Sequence, residues 1–199
     1  VAQVNVIEKE IYVKVVYYGP ALSGKTSNLE YIQRKIAAQK TDLISIATEG
    51  DRTLYFDFLP LEAKIIPGFT TKFQLYTVPG QVQYNATRKL VLQGADGIIF
   101  VADSQWSRQE ANVESFRDMK ENIKEYGIDM QEFPYILQYN KRDLPEVAKL
   151  DHMEYLLNRE SVKVPSFESV ALTGQGVFDS LNAICKMVVG KILKDIKSR

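Results

Sequence analysis

Apolar positions along this chain fall into short dense runs, separated by stretches with a helical repeat. Ile11 to Tyr18 is nearly continuously apolar and rich in β-branched and aromatic residues, which predicts a strand buried on both faces, as in a parallel sheet. After a glycine-bearing loop, Leu29, Ile32 and Ile36 recur at helical spacing. Thr53 to Phe58 and Lys72 to Val78 read as two more strands. The connection between them carries Pro60, Pro67 and Gly68 and is too short for a helical crossover, so the pair is expected to be antiparallel. Gly97 to Ala102 and Tyr135 to Tyr139 are short apolar strands, with a helical stripe of Phe116, Met119, Ile123 and Tyr126 between them. A last strand covers Ser166 to Val170, and Leu181, Cys185, Val188 and Ile192 then mark an amphipathic helix. The alternation predicts an α/β fold of three layers: a mostly parallel sheet with one antiparallel edge and helices on both faces. Ligands of such sheets sit at the carboxyl ends of the strands. No repeat or low-complexity linker breaks the pattern, so residues 1–199 are expected to form one domain.

Composition narrows the class. Lys+Arg and Asp+Glu are 25 each, so no global field draws the chain to nucleic acid or acidic lipid. Cys185 is the sole cysteine, which excludes an internal disulfide and suits a reducing cytosol. No apolar run reaches the roughly 18 residues of a membrane span. Neither end carries a signal peptide, a prenylation box or a myristoylation signal, so no direct membrane anchor is expected.

Candidate chemistry begins at Gly19-Pro20-Ala21-Leu22-Ser23-Gly24-Lys25-Thr26, which fits G-x-x-x-x-G-K-[ST]. Strand, glycine loop and helix follow in the order that makes this a phosphate site. The backbone N–H groups of the loop and the helix N-terminus face the anion, Lys25 reaches the β- and γ-phosphates, and the Thr26 hydroxyl meets Mg²⁺.

Asn140-Lys141-Arg142-Asp143 follows another apolar strand and fits N-K-x-D. Guanine presents two adjacent donors, N1–H and the exocyclic amine, and the Asp143 carboxylate accepts both. Adenine presents a lone pair there, and a site built on such a polar match rejects the wrong base by roughly 10⁴-fold or more. Asn140 is expected to brace the loop and Lys141 to lie along the base. A backbone N–H in Ala171-Leu172-Thr173 is a candidate partner for guanine O6; a loop leading into a helix through Gly174 and Gly176 explains the same residues equally well.

Thr77-Val78-Pro79-Gly80-Gln81 also follows a strand. GTPases commonly read D-x-x-G-Q here. Gly80 lets a backbone N–H approach the γ-phosphate, and Gln81 is placed to orient the attacking water. Thr77 replaces the aspartate, which leaves Mg²⁺ to Thr26, phosphate oxygens, water and Thr53.

These segments, with Tyr17-Tyr18, Arg52-Thr53-Leu54, Phe56-Asp57-Phe58-Leu59-Pro60 and Leu144-Pro145, make the chain similar to the mutual-gliding (MglA) family of bacterial Ras-like P-loop GTPases over almost its whole length. The threonine of T-V-P-G-Q is itself a mark of that family. The resemblance implies a cytoplasmic GTP/GDP switch, recruited to a cell pole in the GTP state and controlling polarity or motility through effectors at its switch regions. It implies a roadblock-fold, MglB-like dimer as GTPase-activating partner, Arg52 as an intrinsic arginine beside Gln81, and Thr53 as a second Mg²⁺ contact.

Adjacent side chains of a regular strand point to opposite faces, so Arg52 and Thr53 cannot both address the γ-phosphate from extended backbone. Glu49 to Leu59 is therefore expected to be a moving switch. Leu54, Tyr55, Phe56, Phe58, Leu59 and Pro60 beside it are divided between core and a nucleotide-gated partner surface. Ala21 departs from the second glycine usual in this loop and predicts slower hydrolysis with binding intact. That departure is the best support for one rival, a hydrolysis-impaired GTP-binding scaffold; a second rival is a P-loop small-molecule kinase, against which Asn140 to Asp143 and Gln81 argue. Cys185 reads as core, His152 as plain surface, and Trp106 has no functional reading.

Overall fold

The computed structural model describes residues 3–36, 44–46, 56–63, 68–81, 84–160 and 162–197. Among them run β1 (Gln3–Asn5), β2 (Glu10–Tyr18), α1 (Lys25–Ile36), β3 (Ile44–Ile46), β4 (Phe56–Ala63), β5 (Thr70–Thr77), α2 (Asn85–Leu92), β6 (Gly97–Asp103), α3 (Gln109–Glu125), β7 (Tyr135–Asn140), α4 (Leu150–Leu157), β8 (Ser166–Glu168) and α5 (Val177–Lys197). The strands form one sheet in the order β3-β4-β5-β2-β6-β7-β8, with β1 paired to β2.

The central strand β2 lies parallel to β5 on one side and to β6 on the other. Alternation along it creates the layers, since successive side chains leave opposite faces. Ile11, Val13, Val15 and Tyr17 pack with Leu29 and Ile32 of α1 and with Leu181, Ile184 and Val188 of α5. Val16 and Tyr18 face the other way, onto Leu92 of α2, Phe116, Met119 and Ile123 of α3, and Met153 and Leu157 of α4.

The expected antiparallel edge is the β4–β5 pair, extended by β3. Strand β4 continues past Pro60 to Ala63 rather than ending at Phe58. Pairing with β3 covers only Phe56–Phe58, so Pro60 sits beyond it, where the missing N–H costs no ladder bond on that side. Strand β1 adds an antiparallel pair the periodicity did not predict, being three residues long.

Helices α2 and α4 also escape the apolar pattern. Each is eight residues long, and in α2 two of the four buried positions are Thr87 and Arg88. Tyr126 leaves the expected stripe: α3 stops at Glu125, and the exposed Tyr126 hydroxyl donates to the Lys89 carbonyl at 2.7 Å. Cys185 is half-buried against the α1–α5 core. His152 is less plain than expected, since its ring lies 4.7 Å from that of Trp106.

Candidate functional site

The chain leaves β2 at Tyr18 and enters α1 at Lys25, so the loop 19–24 crosses the carboxyl edge of the sheet. Two glycines allow its path. Gly19, at φ 143°, runs so close over β6 that a Cβ would lie 2.2 Å from the Val101 carbonyl oxygen. Gly24, at φ 100°, leaves room for the Asn140 side-chain amide, 2.2 Å from where its Cβ would stand. Leu22 takes φ 64°, a left-handed conformation uncommon for a leucine, with its side chain 82% exposed. Lys25 is buried, and its ammonium donates to the carbonyls of Gly19 at 2.9 Å and Pro20 at 2.7 Å. The cationic head is thus held inside the loop.

Asn140 ends β7 and joins the three loops. Its Nδ2 donates to the Ser23 carbonyl at 2.8 Å, and its Oδ1 accepts from the Ala171 N–H at 2.9 Å and the Ser169 hydroxyl at 3.1 Å. The Ala171 N–H is therefore engaged. So is that of Thr173, which donates to the Val170 carbonyl, whereas the Leu172 N–H makes no hydrogen bond among the described residues. Lys141, at φ 67°, turns its ammonium to Asp103 Oδ2 at 2.7 Å. Arg142 is half-buried and donates to Glu168 and the Ala148 carbonyl, each at 2.7 Å. Asp143 stands exposed at the end of the turn.

On the other side, Pro79-Gly80 approaches the P-loop directly. A Cβ on Gly80 would lie 2.3 Å from the Ala21 nitrogen and 2.4 Å from the Pro20 carbonyl carbon. Exposed Gln81 follows, and its backbone carbonyl accepts from the buried Arg88 guanidinium. Arg88 Nε also donates to Asp118 Oδ2 at 2.8 Å. The Tyr18 hydroxyl donates to the same carboxylate; burial first, then this bond, pushes that phenol far above its ordinary range. The backbone after β5 is thereby tied to β2 and α3.

Two threonines of the motifs lie at this edge. Thr26 is exposed in the first turn of α1, and Thr77 is buried at the end of β5. No cluster of three His, Cys, Asp or Glu suited to a metal occurs among the described residues. An Mg²⁺ held by one protein hydroxyl, phosphate oxygens and waters fits this chemistry, because that ion takes hard oxygens and keeps much of its hydration.

The structure thus brings Gly19–Thr26, Gly80, Gln81, Asn140, Lys141, Asp143, Ala171 and Leu172 to one sheet edge. Arg52, Thr53 and the remainder of 49–55 lie outside the described residues. Arg88, Asp103, Arg108 and Asp118 were missed as site residues. Asp103 alone left a signal: like the motifs, it ends an apolar strand.

Residues 3–188 match the ADP-ribosylation factor family. The chain is 53% identical over 192 residues to the mutual gliding-motility protein MglA of Myxococcus xanthus (strain DK1622), covering 96% of this chain and 97% of that one. It is 25% identical to the Ypt/Rab-type GTPase ypt7 of Schizosaccharomyces pombe, over 94% of this chain and 87% of that one. No helix among the described residues is long and apolar enough to cross a membrane.

Proposed function

The chain belongs to the Ras-like small GTPases, in the ADP-ribosylation factor family and of the MglA type, and from that premise we propose a GTP-driven switch whose output is motility or polarity. It is a GTP hydrolase, and neither the scaffold nor the kinase reading is favoured by its relatives. The observation that carries the nucleotide assignment is the Asn140 amide: its 2.8 Å bond to the Ser23 carbonyl joins the glycine loop directly to the 140–143 turn.

In this reading Gly19 to Thr26 cradles the phosphates, and Lys25 exchanges its carbonyl partners for β- and γ-phosphate oxygens. Asp143 accepts both guanine donors, and Lys141 lies along the base. The Ala171 N–H braces Asn140, so guanine O6 falls to the N–H of Leu172. Gly80 offers its N–H to the γ-phosphate, and Gln81 orients the attacking water, with Arg52 entering from the preceding segment. Thr26 and Thr53 would hold Mg²⁺, which would supply positive charge to offset that developing on the phosphates. A roadblock-fold dimer of the MglB kind stimulates turnover, and a cell pole is where the GTP form gathers.

GTP turnover measured with and without such a dimer tests the reading, with Arg52→Ala and Gln81→Leu as controls. Stimulation lost in both variants is expected. Turnover of ATP in preference to GTP would overturn it.

A further inference from the structure

We propose that Arg108 is a positioning residue for the crest of the P-loop, acting through the Ala21 carbonyl. Arg108 closes a 3₁₀ turn, Trp106–Arg108, just before α3. Its Nη2 donates to the Ala21 carbonyl at 2.7 Å. Its Nε lies 3.9 Å from Asp103 Oδ2, the oxygen that also takes the Lys141 ammonium. Asp103 is fully buried, and its Oδ1 accepts the Gln105 N–H at 3.0 Å. One fixed carboxylate therefore orients both the lysine of the base-reading turn and the arginine that reaches the phosphate loop.

Peptide planarity gives the bond its consequence. The peptide between Ala21 and Leu22 is trans, so its C=O and N–H point in opposite directions. Holding the carbonyl on Arg108 aims the Leu22 N–H away from that guanidinium. The two preceding carbonyls, of Gly19 and Pro20, are already taken by Lys25. The Leu22 N–H is then one of the amides the loop presents to phosphate. Its setting depends on the left-handed φ of 64° at Leu22, which a leucine abandons unless something holds it. The Arg108 bond supplies that restraint from outside the loop, and it leaves base recognition to Asn140 and Asp143.

This rests on the loop holding a guanine nucleotide. The experiment follows release of fluorescent GDP from the parent chain, Arg108→Ala, Arg108→Gln and Arg108→Lys, with competition by GDP and ADP and melting of each loaded protein. Removing a charge-assisted hydrogen bond is expected to speed release about tenfold in the alanine and glutamine variants, with Lys, still a cationic donor, restoring part of it. Guanine-over-adenine preference is expected to stay within about twofold of the parent, since the bond does not touch the base. Release unchanged in Arg108→Ala, or a loss of base preference as large as the gain in release, overturns the role. A parent that retains no guanine nucleotide overturns the nucleotide reading as well; a parent that retains it, with variants that match it, overturns only the arginine.

Discussion

Gly80 lies against Ala21 so closely that a Cβ on the glycine would stand 2.3 Å from the alanine nitrogen. Backbone meets backbone there, and no side-chain rotation relieves it. Gly80→Ala must push Pro79-Gly80 away from the P-loop and move Gln81 with it. A displacement of about 1 Å at a reacting centre costs roughly 10²-fold, so single-turnover hydrolysis is expected to fall by that order. A Gly80→Ala chain hydrolysing at the parent rate would remove the contact from the mechanism.

Ala21 bears on the same contact from the other side. Ala21→Gly removes the methyl of the residue whose backbone lies against Gly80 and is expected to hydrolyse GTP faster, with GDP affinity unchanged. Single-turnover rates and a GDP titration read the two separately. Equal rates leave the alanine without catalytic meaning.

Asn140 holds three loops by three hydrogen bonds in a buried position. Asn140→Ala strands the Ser23 carbonyl and the Ala171 N–H. The expected loss is about 2 kcal/mol, a fall of roughly 4 to 8 °C in melting temperature for a chain of this size. Affinity for GDP is expected to fall with it, and a variant that melts like the parent and binds as tightly is the contrary result.

Arg88 is buried and shares Asp118 with Tyr18. Arg88→Leu leaves that carboxylate without its cation and costs about 2 kcal/mol by urea unfolding, less than for a fully buried pair because the Asp118 side chain is partly exposed. Adding Asp118→Leu removes the stranded charge, so the double variant is expected to recover part of the loss. Additive losses would show that the two residues do not act as a pair.

Burial pushes the Cys185 thiol up to about 12. Since only the thiolate attacks alkylating reagents, the folded chain is expected to react with iodoacetamide at pH 8 far more slowly than the urea-unfolded chain. The sign for stability follows from the same shift. Between the ordinary thiol range, about pH 8.5, and the raised folded value, the unfolded chain loses a proton that the fold keeps, so this residue's contribution declines as pH rises through that window. Equal alkylation rates in the two states would contradict it.

Much of the site was legible because its motifs are contiguous. Gly19 to Thr26 and Asn140 to Asp143 each need neighbouring residues at set spacing after an apolar strand, and a one-dimensional pattern records that. Strand β2 was legible for a similar reason: a strand buried on both faces is apolar at every step. Helix α2 was not, because two of its buried positions are polar, Thr87 and Arg88, and Arg88 is paired with Asp118 of a different helix. Strand β4 was read short because Pro60 looks like a terminator until the limited reach of β3 is known.

The sequence by itself determined the family and the ligand chemistry proposed for it: phosphate at the glycine loop, guanine at Asn140 and Asp143, and hydrolysis assisted by Gln81. Only the tertiary structure decided what holds those groups in place. Asp103 joins Lys141 to Arg108, and Arg108 meets Ala21 across the sheet edge. Gly80 owes its place to the loop it touches rather than to its own neighbours. Backbone cradles are written in short-range spacing, whereas an ion pair between distant residues exists only once the register of the strands and the packing of the helices bring its partners together.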